Sequence, residues 1–172
     1  MSRTYVIVTR LGAAIALSSL AACGAGDRSD DSDAGEVKLT VDTAELAEAA
    51  RAAAGDDASP IVLTRVRALV TSVKVGEAAL GPAGAAAPFV IDIDAEAIAA
   101  GTVHETSLGT LPEGEYAGAS IALDTVDAGA TGDLADFAAD GASLIVDGTY
   151  AGEAFQFRGH FLSAQSVTRD LS

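Results

Sequence analysis

Along most of this chain apolar and polar residues alternate with a period of two, the spacing that puts one set of side chains on each face of a strand. Residues 36–42 set Val37, Leu39 and Val41 against Lys38, Thr40 and Asp42, a half-buried strand. The longest β-rich run is 61–75. There Val62, Val66 and Val70 share one parity and Val73 and Val75 the other, which predicts a bulge or bend near 69–72 that lets one strand serve two parts of a sheet. Residues 89–94 and 102–108 read as further strands. Leu111-Pro112-Glu113-Gly114 has proline second and glycine fourth, the residue choice of a type I turn, and feeds a strand over 115–124. The clearest hairpin comes last: 143–150 turns at Ala151-Gly152 into Phe155, Phe157 and Phe161, which alternate with Gln156, Arg158 and His160. Those three phenylalanines are expected to form much of the core.

Period two breaks in a few places. Residues 43–54 are rich in helix formers, and Gly55-Asp56-Asp57 can stop them, but Leu46 is the one strong apolar anchor, so the helix is short and peripheral. Residues 95–100 read as a helical turn, and 81–88 and 125–141 read as loops by composition. About seven strands with one minor helix predict an all-β fold, an antiparallel β-sandwich.

The N-terminus follows other rules. Arg3 and Arg10 flank the apolar stretch 5–8, and 11–22 is an uncharged run of Ala, Leu, Ile, Gly and Ser, the layout of a cleaved signal peptide. A membrane-spanning helix needs about 20 consecutive apolar residues, and extending this run backward would bury Arg10 in hydrocarbon. Leu20-Ala21-Ala22-Cys23, which ends in the chain's single cysteine, resembles the lipobox of bacterial lipoproteins. That resemblance implies diacylglycerol on the Cys23 thiol, cleavage before Cys23 and acylation of the new amine. In a two-membrane host, Gly24 rather than Asp after Cys23 implies transfer to the outer membrane. Residues 1–22 are thus expected to be a lipoprotein signal peptide and 23–35 the lipidated cysteine and a flexible acidic tether. The sandwich domain is expected over 36–172. The tether contains no large apolar side chain and cannot join a core.

Removing 1–22 takes two of the ten basic residues and none of the 25 acidic ones, moving the formal charge from −15 to −17. Such a chain repels phosphate backbones and anionic head groups, so nucleic acid is excluded as a partner and the membrane is reached through the lipid alone. Catalytic chemistry finds little footing. The single thiol is committed to lipid, no serine sits in a Gly-x-Ser-x-Gly elbow, and His104 and His160 are the only imidazoles. The expectation is a non-enzyme without a cofactor.

Carboxylates give the best remaining chemical signal. Asp92 and Asp94 lie one residue apart on a strand and share a face, and Asp124, Asp127, Asp133, Asp136 and Asp140 crowd the segment after the next strand. Hard cations prefer such oxygen clusters, which makes calcium the alternative to a set of soluble turns. With no tryptophan, and with Tyr116 better placed to pack a hairpin, a sugar-stacking platform is not expected.

Thr64-Arg65-Val66-Arg67, Val73-Lys74-Val75 and Leu108-Gly109-Thr110-Leu111-Pro112-Glu113-Gly114-Glu115-Tyr116 together resemble the hairpin pattern of a domain-of-unknown-function family of bacterial surface lipoproteins. The resemblance implies a transthyretin-like or immunoglobulin-like sandwich and attributes no catalytic residues. Relatives of that kind often continue past the final hairpin, so a smaller sandwich here is expected to expose a strand edge able to pair with a protein partner or with another copy.

Overall fold

In the computed structural model, residues 34–44, 48, 61–82, 86, 88–112, 116 and 118–160 are described with their side chains, and strand backbone is described at 4–7, 10–11, 15–16 and 163–167. The strands in chain order are β1 (Thr4–Ile7), β2 (Arg10–Leu11), β3 (Ile15–Ala16), β4 (Gly35–Asp42), β5 (Ile61–Val75) and β6 (Ala78–Ala79). They continue with β7 (Phe89–Asp94), β8 (Val103–Leu111), β9 (Ala119–Leu123), β10 (Leu144–Tyr150), β11 (Glu153–Gly159) and β12 (Ser163–Val167). Helix α1 is Ala95–Ala100, and a 3-10 turn at Gly132–Leu134 runs into α2, Ala135–Asp140.

These elements form an antiparallel β-sandwich. One sheet has the order β1-β4-β8, and the larger has β11-β10-β5-β9-β12 with β6 and β7 also on β5, while β2 and β3 make a separate small pair. The pairing of β1 with β4 is parallel; the other pairings are antiparallel. The parity change read from Val66, Val70, Val73 and Val75 is real, but Val62 does not share their core face. It is 50% exposed, because the register of β5 against β10 slips at Asp147–Gly148 and Leu63 packs against the core instead. The register of β5 against β9 slips between Val70 and Ser72, so Val66, Ala68 and Val70 face the core on one side of the bend and Val73 and Val75 on the other. The N-terminal part of β5 carries β10 and β7, and its C-terminal part carries β9 and β6.

The main core lies between the sheets. Val37, Leu39 and Val41 of β4 and Leu108 and Leu111 of β8 meet the inward set of β5, Ile91 and Ile93 of β7, and Ile121 and Leu123 of β9. Full burial of each such side chain contributes about 1.5–3 kcal/mol, so this layer carries most of the fold's stability. Thr43 closes one end. Wholly buried, its hydroxyl places its one proton between the carbonyls of Thr102 at 2.5 Å and Ala97 at 2.9 Å, joining the end of β4 to α1 and the start of β8. Helix α1 is capped at both ends: the Asp94 carboxylate accepts from the Ala97 amide, and Gly101 takes the left-handed conformation at φ 61°. Of the helix expected over 43–54, Thr43, Ala44 and Glu48 are helical and the remainder lies outside the described residues.

Two expectations are corrected. The segment 125–141 is not all loop, because it holds the 3-10 turn and α2, whose Phe137 is 0% exposed in a second core with Leu69, Ala142 and Ile145 on the outer face of the larger sheet. The late phenylalanines do not fill the main core either. Phe157 is 50% exposed and Phe155 half-buried, because β11 is an edge strand and the opposing sheet is only three strands wide; Phe161 lies outside the described residues.

The final hairpin closes on a two-residue turn in which Ala151 has φ 52° and Gly152 φ 85°. Left-handed geometry at both positions suits a primed turn and strains alanine. Ala151→Asn is therefore expected to raise stability by about 0.5–1 kcal/mol, read as a higher denaturant midpoint at unchanged slope.

Candidate functional site

The densest assembly of charged side chains lies on the outer face of the larger sheet. Strand parity sends Arg65 and Arg67 of β5 outward, as it does Asp92 of β7, Asp147 of β10, and Gln156 and Arg158 of β11. Arg65 grips Asp92 with both ends of its fork, Nε to Oδ1 at 2.8 Å and Nη2 to Oδ2 at 2.5 Å. Arg67 donates to Asp136 Oδ2 at 2.7 Å, stands 3.9 Å from Asp147 Oδ2, and lies 5.9 Å from the Phe137 ring centre. Gln156 continues the chain by donating to Asp147 Oδ1 at 2.6 Å and accepting from Arg158 Nε at 2.7 Å. Arg158 in turn pairs with Asp140 and donates to the Asp136 carbonyl at 3.2 Å.

Asp136 and Asp140 stand four apart on α2, so they lie on one face of the helix, and both are held by arginines of the sheet beneath. The array clasps α2 down over Phe137. The Arg67 stem and guanidinium form part of that lid, and its Nε is buried with no hydrogen-bond partner among the described residues.

Electrostatics follow the geometry. The hydrogen bonds from Arg65 hold the Asp92 carboxyl below the usual carboxylate range against the opposing effect of burial, and that partnership raises Arg65 in turn. The bond from Arg67 lowers Asp136 likewise. On the outer face of the smaller sheet, Lys38 is raised by its bond to Glu105 at 3.0 Å, with Glu36 3.9 Å away, and Ser107 donates to Glu36 at 2.9 Å. Guanidinium groups stay charged throughout the accessible pH range, so Asp92 and Asp136 are held ionised as fasteners.

A pH dependence follows. Carboxyls depressed in the folded state stabilise it fully above their unfolded value and lose that contribution as pH falls through the folded value. Thermal melts are expected to show Tm level between about pH 5 and 7 and falling below about pH 4, with Asp92→Asn removing part of the fall. A Tm that fell equally in the variant would detach the effect from this pair.

Most of the carboxylates singled out in the sequence have separate partners, and Asp127 and Asp133 lie in turns. Asp92 and Asp94 do share an exposed face, but Asp92 binds Arg65 and Asp94 caps α1. Asp124 accepts from the Thr125 amide at 2.7 Å, the Asp127 carbonyl accepts from Ala130 at 2.9 Å, Asp133 lies in the 3-10 turn, and Asp136 binds Arg67. Among the described residues no three His, Cys, Asp or Glu side chains gather as a metal set. His160 is exposed beyond β11, and His104 lies on β8 opposite Val41. Tyr116 packs against the main core and donates to the Pro112 carbonyl at 2.6 Å, the hairpin role its position suggests. Cys23 lies outside the described residues.

Sequence reading did not find the arginine clasp, although a signal was present. Arg65 and Arg67 alternate on a strand as Asp92 and Asp94 do, and Asp136 and Asp140 have helical spacing. No family model, no curated protein and no solved structure matches this chain.

Proposed function

We propose that this chain is a bacterial lipoprotein, cleaved before Cys23 and acylated there, so that the mature protein lacks β1, β2 and β3 and its smaller sheet is the pair β4-β8. In this reading the β-sandwich is a non-catalytic binding or structural module of the cell envelope, carried at the outer membrane of a two-membrane host. The observation that carries the reading is Leu20-Ala21-Ala22-Cys23 behind a basic start and an apolar run, with no other cysteine in the chain. One acyl chain binds a bilayer only marginally, whereas two or three, at about 0.8 kcal/mol per buried methylene, hold a protein to it. The acidic tether between Cys23 and β4 supports the same reading, since it keeps the domain clear of head groups that its charge repels. The charged clasp favours a structural over a catalytic use of these groups, because its arginines and aspartates fasten a helix to a sheet.

Detergent phase partitioning of the chain expressed in a bacterial host tests the anchor. Wild type is expected in the detergent phase and Cys23→Ser in the aqueous phase, with at least about a tenfold change in the ratio. Equal partitioning of the two would overturn the anchor.

A further inference from the structure

The edge strand β11 presents an unclaimed pairing surface. Among the described residues it pairs with β10 alone, in an unbroken register from Tyr150↔Glu153 to Leu144↔Gly159. With a two-residue turn, Tyr150 and Glu153 form the closing hydrogen-bonded pair, and such pairs recur at every second residue. Glu153, Phe155, Phe157 and Gly159 therefore spend their backbone groups on β10, as the bond from the Ser143 amide to the Gly159 carbonyl also shows for that end. Ala154, Gln156 and Arg158 point their N–H and C=O groups away from the sheet. Native edges are usually blunted by proline, a bulge or an inward-pointing charge. Between Ala154 and Arg158 this edge has none of these, and its core-side positions are Phe155 and Phe157, the latter 50% exposed.

We propose that β11 pairs antiparallel with β11 of a second copy of this chain, with the two-fold axis at Gln156. Two antiparallel copies of one strand are related by an axis perpendicular to the sheet, so only residues of the same parity can face each other. Placing the axis at Gln156 matches all seven residues of the strand, Glu153 to Gly159. It sets the outward-pointing residues against one another: Gln156 meets Gln156 of the second copy, and Ala154 meets Arg158. Those pairings close about six N–H···O bonds. On the core side Phe155 of each copy faces Phe157 of the other, a run of four rings that covers the surface the smaller sheet leaves bare. No like charges are opposed, since Glu153 meets Gly159 and Arg158 meets Ala154. The strand itself is neutral, with one acidic and one basic residue, in a chain of net charge −15. Its own residues thus add no net repulsion to the approach of a second copy. The inference does not depend on the lipid anchor, although tethering to one membrane would raise the local concentration that drives the pairing.

The test is position-resolved disulfide trapping in the full chain carrying Cys23→Ser, so that each introduced thiol is the only one. Directly opposed residues of a hydrogen-bonded antiparallel pair have Cα atoms about 5.5 Å apart, within disulfide range. Mild oxidation is therefore expected to give at least tenfold more covalent dimer from Gln156→Cys than from Ala154→Cys or Arg158→Cys alone. Mixing Ala154→Cys with Arg158→Cys is expected to restore a crosslink. In light scattering at physiological salt the parent is expected to approach two chain masses as concentration rises, and Phe157→Asp to remain at one with an unchanged circular dichroism spectrum. Equal trapping at 154, 156 and 158, or a parent that stays at one chain mass throughout, would overturn the proposal. Neither result bears on whether Cys23 is acylated.

Discussion

Phe137→Ala is expected to lower stability by about 3–5 kcal/mol, the cost of emptying an aromatic site that cannot collapse around the loss. Phe137 has no exposed surface, and Leu69, Ala142 and Ile145 surround it, with Val90, Val126 and Leu134 at the margin. Its ring also supports the Arg67 guanidinium that grips Asp136. Removing the ring therefore loosens α2 and leaves a largely buried arginine poorly packed. Denaturant titration gives the size of the loss. Amide exchange at Ala142, whose N–H donates to the Phe137 carbonyl at 3.1 Å, reports its place. A loss under about 1 kcal/mol would mean that the second core contributes little.

Gly148 is expected to be the least replaceable glycine described. It sits where the register of β10 against β5 slips, and a Cβ there would lie 2.6 Å from the Val62 carbonyl oxygen and 2.8 and 2.9 Å from the Phe155 ring. A backbone oxygen cannot swing aside as a side-chain tip can. Gly148→Ala is accordingly expected to cost about 1–3 kcal/mol, and Gly148→Val at least the upper end of that range, by forcing β5 and β10 apart. Gly129, with open space around the same added atom, serves as the control: Gly129→Ala should stay within about 0.5 kcal/mol of the parent. Comparable losses at both positions in thermal or chemical melts would show that the close approach at Gly148 does not set the effect, since the entropy change of a glycine-to-alanine substitution alone stabilises. Because Phe155 moves with Gly148, the same substitution is expected to disturb the edge proposed for self-association.

What the sequence made legible was set by how local each signal is. The strand β5 and its bend could be read because Val66, Val70, Val73 and Val75 record the change of face directly, and that change is where the register slips. The turn at Ala151-Gly152 is likewise written in neighbouring residues, whereas the cap of α1 by Asp94 and Gly101, though equally local, is missed because Asp94 beside Asp92 reads as a cation ligand instead. Helix α2 was hidden because Ala, Asp and Gly on either side of Phe137 have the composition of a loop, and the helix is held by contacts far away in the chain. Arg67 and Asp136 are 69 residues apart. The same distance effect misassigned the phenylalanines. Alternation in 153–159 correctly gave a two-faced strand, but nothing nearby told that the opposing sheet stops short of it. Carboxylate density suggested a cation for a related reason, since the partners of Asp92 and Asp136 are arginines of a strand far away in the chain, while Asp94 and Asp124 are taken by the amides of Ala97 and Thr125.

Lipid at Cys23 is tested most directly by the mass of the intact chain extracted from bacterial membranes. The result expected is a chain that lacks residues 1–22, begins at Cys23 and carries two or three acyl chains. A chain that keeps Met1 and a free Cys23 thiol would contradict it.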